Sequence, residues 1–217
     1  MDHMVYLDNA ATTQCAKEAL DAMLPYFTEQ YGNASSIYQL GAQSKKAITN
    51  ARDIIAKSLN TDGAEIYFTA GGSESDNWAL IATAEAYAAK GKHIITSRIE
   101  HHAVLHTCQY LEQRGYEVTY LQPDRSGNIT ARQVKEALRP DTILVSMMLV
   151  NNELGTILPV AETARVLKEA GSGALLHCDG VQGFLKVPFT PKELGVDMLS
   201  ISGHKIHAPK GIGAMYI

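Results

Sequence analysis

The chain has 217 residues, 46% of them hydrophobic and 19% charged, which are values of a globular protein large enough to bury a substantial core. The formal net charge is -4 and the basic residues are scattered, so the composition argues against nucleic acid as a partner. The longest apolar run, 143–150, contains Ser146 and is too short to cross a membrane, and the first residues lack the basic and apolar segments of a leader. We therefore predict a cytoplasmic protein with no membrane partner.

Two helices are predicted first, over 17–31 and 43–59, and they are separated by the turn-forming segment 32–36. Strands and helices then alternate, which predicts an α/β fold with a mainly parallel sheet whose ligand lies beyond the carboxyl ends of the strands. We divide the chain into lead-in helices over 1–60 and a large domain over 61–217. The predicted strands are 65–69, 93–97, 117–121, 142–147, 174–178 and 198–200, and the predicted helices between them are 73–89, 103–114, 131–138 and 160–170.

A glycine-rich segment, 69–77, follows the first predicted strand and opens a helix. Gly71 and Gly72 permit close approach of the backbone, and the first amides of the helix favour an anion such as phosphate. Ser73 and Asp76 have capping-box spacing, so an ordinary capped helix start is the alternative. The segment matches neither the dinucleotide fingerprint nor the P-loop, which leaves a small phosphate ester.

Lys205 lies in the polar loop that directly follows the predicted strand 198–200. This loop runs from Ser202 to Gly211. Desolvation and the neighbouring His204 can lower the pKa of its amine and make it nucleophilic, as binding of an aldehyde cofactor requires. A solvated basic turn is the alternative.

Three further segments place polar side chains at strand ends. Asp179 follows an apolar strand and needs a cationic partner, which a protonated pyridine nitrogen would supply, unless it is a helix N-cap. His101 stands at a strand-to-helix junction, where an imidazole can stack on a flat ring and move protons, or simply cap the helix. The polar turn 151–155 follows another strand, although turn chemistry alone explains it.

Taken in order, these motifs resemble the class-V aminotransferase family of pyridoxal phosphate enzymes, and within it the cysteine desulfurases of the nitrogen-fixation and iron-sulfur-cluster type. The resemblance runs from Tyr6 to Ile217. It rests on segments 6–13, 32–36, 69–77, 100–101 and 151–153, on Asp179 with Gln182, and on 202–213.

The resemblance implies a three-layer large domain of the fold-type-I transferases and a role for each motif. Lys205 would hold the aldehyde of pyridoxal 5'-phosphate, and Asp179 would pair with the ring nitrogen. His101 would stack on the ring and assist proton transfer, so Lys205 and His101 are the implied catalytic residues. The remaining implied residues are Gln182 and Asn152 near the ring hydroxyl, and Gly72, Ser73, Ser202 and His204 at the phosphate.

The implied reaction converts L-cysteine to L-alanine and passes sulfur to an enzyme cysteine for iron-sulfur cluster or thio-cofactor assembly, in a homodimer that serves a sulfur acceptor or scaffold protein. Family members carry that cysteine and a substrate-carboxylate arginine in a C-terminal small domain, which we expect to be missing here because the chain stops at an apolar run, 213–217, predicted as an uncovered strand. Cys15, Cys108 and Cys178 match neither that cysteine nor a metal site. A related selenocysteine or sulfinate lyase, and an inactive fragment that only binds the cofactor or dimerises, remain alternatives.

Overall fold

A computed structural model describes residues 5–217, which form one seven-stranded sheet covered by helices. The strands lie in the order β1-β7-β6-β5-β4-β2-β3. Their bounds are Ile66–Thr69 (β1), His93–Ser97 (β2), Glu117–Leu121 (β3), Thr142–Met148 (β4), Leu175–Asp179 (β5), Met198–Ser202 (β6) and Gly213–Tyr216 (β7).

The sheet is mixed but mostly parallel. Strand β7 is antiparallel to β1 and β6, whereas the remaining neighbours pair in parallel. The expectation of an uncovered C-terminal strand is wrong, because β7 is inserted between β1 and β6, with Gly213 opposite both Thr69 and Ser202. Ala214 and Met215 are each 1% exposed, so this strand belongs to the core.

The helices agree with the predicted alternation, with three differences. The predicted helix 17–31 is two short helices, because Pro25 has no N–H to continue the first one and begins the second. The helix predicted to begin at residue 43 begins at Gln39 instead. The four-residue helix Pro191–Leu194 was not predicted, because a single turn has no periodic hydrophobic pattern. The bounds are Lys17–Met23 (α1), Pro25–Thr28 (α2), Gln39–Leu59 (α3), Gly72–Tyr87 (α4), His102–Glu112 (α5), Ala131–Ala137 (α6), Val160–Glu169 (α7) and Pro191–Leu194 (α8).

The helices form a layer on each face of the sheet. Successive residues of a strand point to opposite faces, and accordingly Ile94 joins one apolar cluster whereas Ile95 joins the other. The first cluster contains residues of α4 and α5, and the second contains residues of α3, α6, α7 and α8. This arrangement confirms the predicted three-layer α/β class. None of the helices within residues 5–217 combines the length and hydropathy needed to cross a membrane.

The N-terminal segment, residues 5–16, is held against the loop that follows β6. The Thr13 backbone N–H and hydroxyl donate hydrogen bonds to the His204 carbonyl oxygen at 2.8 and 2.9 Å, and the Ala16 N–H donates to the His207 carbonyl at 2.9 Å. These bonds bring residues that are distant in sequence to the carboxyl ends of the central strands. The division of the chain at residue 60 stays a prediction.

Candidate active site

A cavity of about 1020 Å³ opens at the carboxyl ends of β1, β4, β5 and β6. It is the place where a parallel α/β sheet binds its ligand. Every site residue predicted from the sequence lines this cavity: Gly72, Ser73, His101, Asn152, Asp179, Gln182, Ser202, His204 and Lys205. The fold therefore brings together residues that lie as far apart in the chain as Gly72 and Lys205.

The start of α4 forms one end of the cavity. Gly71 is the N-cap, with φ at +152°, and within the described chain no side chain caps this helix. The alternative of a helix capped by a Ser73–Asp76 box is therefore wrong, because the helix already begins at Gly72 and its N-cap is Gly71. Its first amides consequently lack intrahelical acceptors and, with the positive end of the helix dipole, favour an anion.

Close packing around position 72 explains why a glycine is needed there. A Cβ atom there would lie 2.6 Å from Cγ2 of Val181 and 3.3 Å from Cβ of Ser202. Ser202, at the end of β6, is 4% exposed and lines the cavity opposite the helix start. These features form a narrow cradle of backbone amides and a hydroxyl.

Asp179 ends β5 on the floor of the cavity and is 5% exposed. Its Oδ1 accepts a hydrogen bond of 2.9 Å from the Val181 N–H. Burial raises the pKa of this carboxyl to about 6, although the Val181 N–H and the charge of Lys205 oppose the rise. The helix N-cap alternative is wrong, because residues 181–186 form turns and not a helix.

Lys205 follows β6 in a short 3₁₀ turn, Gly203–Lys205. Its ammonium donates hydrogen bonds to the carbonyl oxygens of Ala10 and Ala11, the latter at 2.7 Å. Burial lowers the pKa of Lys205, as does the charge of Lys186, whereas Asp8 and Asp179 act in the opposite direction. The lowered pKa favours the neutral, nucleophilic amine.

Two histidines border the cavity. The His204 ring nitrogen Nδ1 lies 3.1 Å from the Thr12 hydroxyl, and burial and then Lys205 lower its pKa. His101 is the N-cap of α5, where its Nδ1 accepts a bond of 3.1 Å from the Ala103 N–H. Burial and then the charge of His102 lower the pKa of His101, which favours the neutral ring. Capping uses Nδ1 and leaves Nε2 for other chemistry.

The two predicted amides differ in their contacts. Gln182 is 8% exposed and donates through Nε2 to the Ala10 carbonyl at 2.8 Å, while its Oε1 accepts from Lys186 at 3.1 Å. Asn152 is half-buried in the cavity wall. Its neighbour Asn151 holds the turn instead, because its side-chain oxygen accepts from the backbone N–H of residues 153 and 154.

Sequence reasoning missed two buried acids. Asp76 lines the cavity and is 1% exposed. Helical spacing was the sequence signal for its burial, because it places Asp76 on the face of α4 that also carries the buried Ala79, Leu80 and Thr83. Glu100 is 5% exposed, and its Oε1 accepts from the Ser97 hydroxyl at 2.7 Å and the Met148 N–H at 3.1 Å. Burial raises the pKa of Glu100 to about 8.

Comparison with known proteins identifies the family. Residues 5–217 match the family model for aminotransferase class V. The chain belongs to this family. Its relatives include cysteine desulfurases IscS from Methanosarcina thermophila, 53% identical over 98% of this chain and 52% of the relative, and from Dictyoglomus turgidum, 50% identical over 100% of this chain and 55% of the relative. The chain thus spans about half the length of the curated relatives it matches.

Solved structures agree with this family. The complex of SspA with cysteine superposes with a TM-score of 0.95 at 43% identity, covering 99% of this chain and 61% of SspA. A NifS-like protein gives a TM-score of 0.95 at 40% identity, covering 98% and 58% of the two chains. Cysteine desulfurases of this family use pyridoxal phosphate.

The residues present fit that cofactor. Backbone amides at Gly72 suit its phosphate, Lys205 offers an amine to its aldehyde, and the buried carboxylate of Asp179 suits a protonated ring nitrogen. The three groups surround one cavity. Val181 and Ser202 pack so closely against Gly72 that a side chain at position 72 would displace them.

Proposed function

We propose that this chain forms the pyridoxal-phosphate-binding part of a cysteine desulfurase. The observation that carries the proposal is the convergence of the α4 amides, Lys205 and Asp179 on one cavity. The similarity to cysteine desulfurases over nearly the whole chain supports the same reaction, in which L-cysteine loses its sulfur and becomes L-alanine.

The phosphate of the cofactor would be held at the start of α4. The backbone amides of Gly72 and Ser73 offer hydrogen bonds, and the hydroxyl of Ser202 lies across the cradle. His204 would add a ring N–H, since its Nδ1 is turned towards Thr12 and Nε2 is the remaining nitrogen. The helix dipole adds a favourable interaction of about 0.3–1 kcal/mol with an anion at this position.

Lys205 and Asp179 would serve the two ends of the reactive ring. Lys205 would contribute a neutral amine to the aldehyde, and its bonds to Ala10 and Ala11 orient Nζ before the cofactor arrives. Asp179 would keep a proton on the ring nitrogen, because an ionised carboxylate stabilises the charged form. When bound, pyridoxal phosphate supplies an electron sink for the bond changes at the substrate.

His101 would stack on the ring and move a proton through Nε2. Its Nδ1 is occupied by the Ala103 N–H, so the orientation of the imidazole is fixed. Asn152 would donate to the ring hydroxyl. Gln182 would do the same with its side-chain amide, which Lys186 holds in one orientation.

The sulfur-accepting thiolate would come from outside residues 5–217. Cys108 and Cys178 are fully buried, and burial raises the pKa of Cys108 to about 12 and that of Cys178 well above its usual value. Attack by a cysteine thiolate on the substrate sulfur would form an S–S bond and break the substrate C–S bond, whose electron pair stays on the substrate carbon and is protonated. The products are alanine and an enzyme persulfide, whose sulfur an acceptor or iron-sulfur scaffold protein would then receive.

A second copy of the chain is the partner we propose for the exposed apolar side chains within residues 7–78. Leu7, Phe27 and Ile37 are 85%, 69% and 102% exposed, and Tyr67 and Trp78 form an exposed edge-to-face pair with ring centroids 5.7 Å apart. Burial of such side chains favours association. Sedimentation equilibrium should therefore give the mass of a dimer.

Two experiments test the proposed function. Titration of the chain with pyridoxal phosphate, followed by visible circular dichroism, should show binding, while pyridoxal without phosphate should bind at least about tenfold more weakly because it lacks the charge-assisted bonds. Equal affinity for the two would contradict the phosphate assignment.

The reaction itself can be tested in a chimera that joins this chain to the C-terminal part of the Methanosarcina thermophila relative. With a thiol reductant, it should release sulfide and alanine from L-cysteine, at a rate above those with selenocysteine and cysteine sulfinate. A chimera that binds pyridoxal phosphate but prefers selenocysteine or the sulfinate would contradict the proposed substrate.

A further inference from the structure

Asp76 is a buried carboxyl group that the chemistry above does not use. It lies in the second turn of α4, is 1% exposed and borders the cavity. Within the described chain its Oδ1 has no hydrogen-bond partner. The nearest basic atom is Nε2 of His177, at 3.6 Å.

His177 does not supply a positive charge to Asp76. The imidazole is fully buried on β5, and its two ring nitrogens lie 2.9 Å from the hydroxyls of Ser146 and Ser200. A neutral imidazole satisfies both contacts, because each hydroxyl can donate or accept. Burial also lowers the pKa of His177 to about 3, so the contact with Asp76 is not an ion pair near pH 7.

Two other acids are buried near Asp76, and each accepts a hydrogen bond from a backbone N–H, although Oε2 of Glu100 also has no partner within the described residues. Asp179 accepts from the Val181 N–H and is further stabilised as an anion by the charge of Lys205. Glu100 accepts two bonds at Oε1. For Asp76, burial and the charges of Asp179 and Glu100 raise the pKa well above its usual value, and only the Ser200 hydroxyl opposes the rise.

We propose that Asp76 is a positioning residue that stays protonated beside Asp179, so that Asp179 is the carboxylate anion on the floor of the cavity. The geometry supports this division, because a buried carboxylate with an unpartnered oxygen costs far more free energy as an anion than as a neutral acid. The functional meaning rests on the proposed function, since a ring nitrogen is the cation that Asp179 would meet. The protonation of Asp76 itself does not require the cofactor.

The experiment uses the cofactor-free chain and the isosteric variant Asp76→Asn. A carboxyl group that stays protonated only in the folded state makes folding less favourable as pH rises, because the unfolded chain releases that proton first. The ratio of the unfolding constants, wild type over Asp76→Asn, should therefore rise by up to about tenfold per pH unit between pH 5 and 7. A ratio that is constant over this interval would overturn the proposal, and a merely structural Asp76 gives that constant ratio.

Glu100→Gln is the matched control, because Glu100 is also buried with a raised pKa. Its ratio of unfolding constants should level off near pH 8, because burial raises the pKa of Glu100 to about 8. Carbon-13 labelling of the aspartate carboxyls of the wild-type chain provides a second measurement that does not depend on the variant folding. One aspartate signal should stay at the neutral-acid position at pH 7 and persist in Asp179→Asn; ionisation of every aspartate at pH 7 would overturn the proposal.

Discussion

Gln182 and Lys205 donate hydrogen bonds to the same acceptor, the carbonyl oxygen of Ala10. The two side chains come from the ends of β5 and β6, so the central strands and the N-terminal segment share one contact point at the cavity. Ala11 accepts a second bond from Lys205. The N-terminal segment is consequently part of the site wall, although the first strand begins only at Ile66.

Gln182→Leu should loosen this segment without unfolding the sheet. Loss of one hydrogen bond of about 1 kcal/mol predicts roughly fivefold faster amide exchange at Ala11 and Thr12. Gln133→Leu is the control, because its side chain also donates to a main-chain carbonyl, that of Gln122, but far from the cavity. Unchanged exchange in Gln182→Leu would show that the Ala10 contact does not hold the segment.

Gly72→Ala should impair anion binding and stability together. The new methyl group would lie 2.6 Å from Val181 and fill the cradle, and overpacking of this kind costs about 1–3 kcal/mol. Equilibrium binding of pyridoxal phosphate and chemical unfolding measure the two effects. Gly173→Ala is the control, since nothing in residues 5–217 lies within 4 Å of a Cβ there. Full cofactor affinity in Gly72→Ala would refute the cradle.

Asp179→Asn should remove a loss of folding stability that the wild-type chain undergoes as pH rises. Because burial raises the folded pKa of Asp179 to about 6, its contribution is fully present below the unfolded pKa and is lost as pH rises through about 6. The loss, at most about 3 kcal/mol by pH 7, should be absent from the variant. The chain should still fold and bind pyridoxal phosphate, but the chimera should lose most sulfur release.

Asp124→Asn should behave oppositely, because backbone N–H groups of Asn128 and Ser126 lower the pKa of the exposed Asp124. That variant should lose stability mainly above the unfolded pKa. Urea unfolding from pH 4 to 8 separates the two cases. A wild-type stability that does not fall relative to Asp179→Asn between pH 4 and 7 would contradict the raised pKa.

The chain without added partners should not release sulfide from cysteine. Buried thiols with raised pKa values are poor nucleophiles, and a thiol reagent should modify only Cys15 before unfolding, because Cys15 is half-buried whereas Cys108 and Cys178 are inaccessible. Sulfide assays of the cofactor-loaded chain and of a variant with alanine at all three positions test this. Robust turnover that disappears in the triple variant would make one of these cysteines the nucleophile.

The sequence predicted the parallel strands and the site loops because both have local signals: apolar runs bounded by turns, and polar residues directly after them. It did not predict the place of β7, because the partner of a strand is decided by long-range pairing with β1 and β6. It also missed Asp76 of α4, whose significance comes from its proximity to His177 and Asp179 on β5. The contact of Ala10 with Lys205 has no sequence signal, since any residue supplies a carbonyl oxygen.

The central claim is that Lys205 binds the cofactor aldehyde. Borohydride reduction of the chain loaded with pyridoxal phosphate, followed by peptide mapping, should place the pyridoxyl label on Lys205. Lys210, which also lines the cavity, and Lys186, beside Gln182, are the internal controls, and Lys205→Arg should abolish the label while Lys210→Arg retains it. A label on Lys210 or Lys186 in the wild-type chain, or one that survives in Lys205→Arg, would contradict the account.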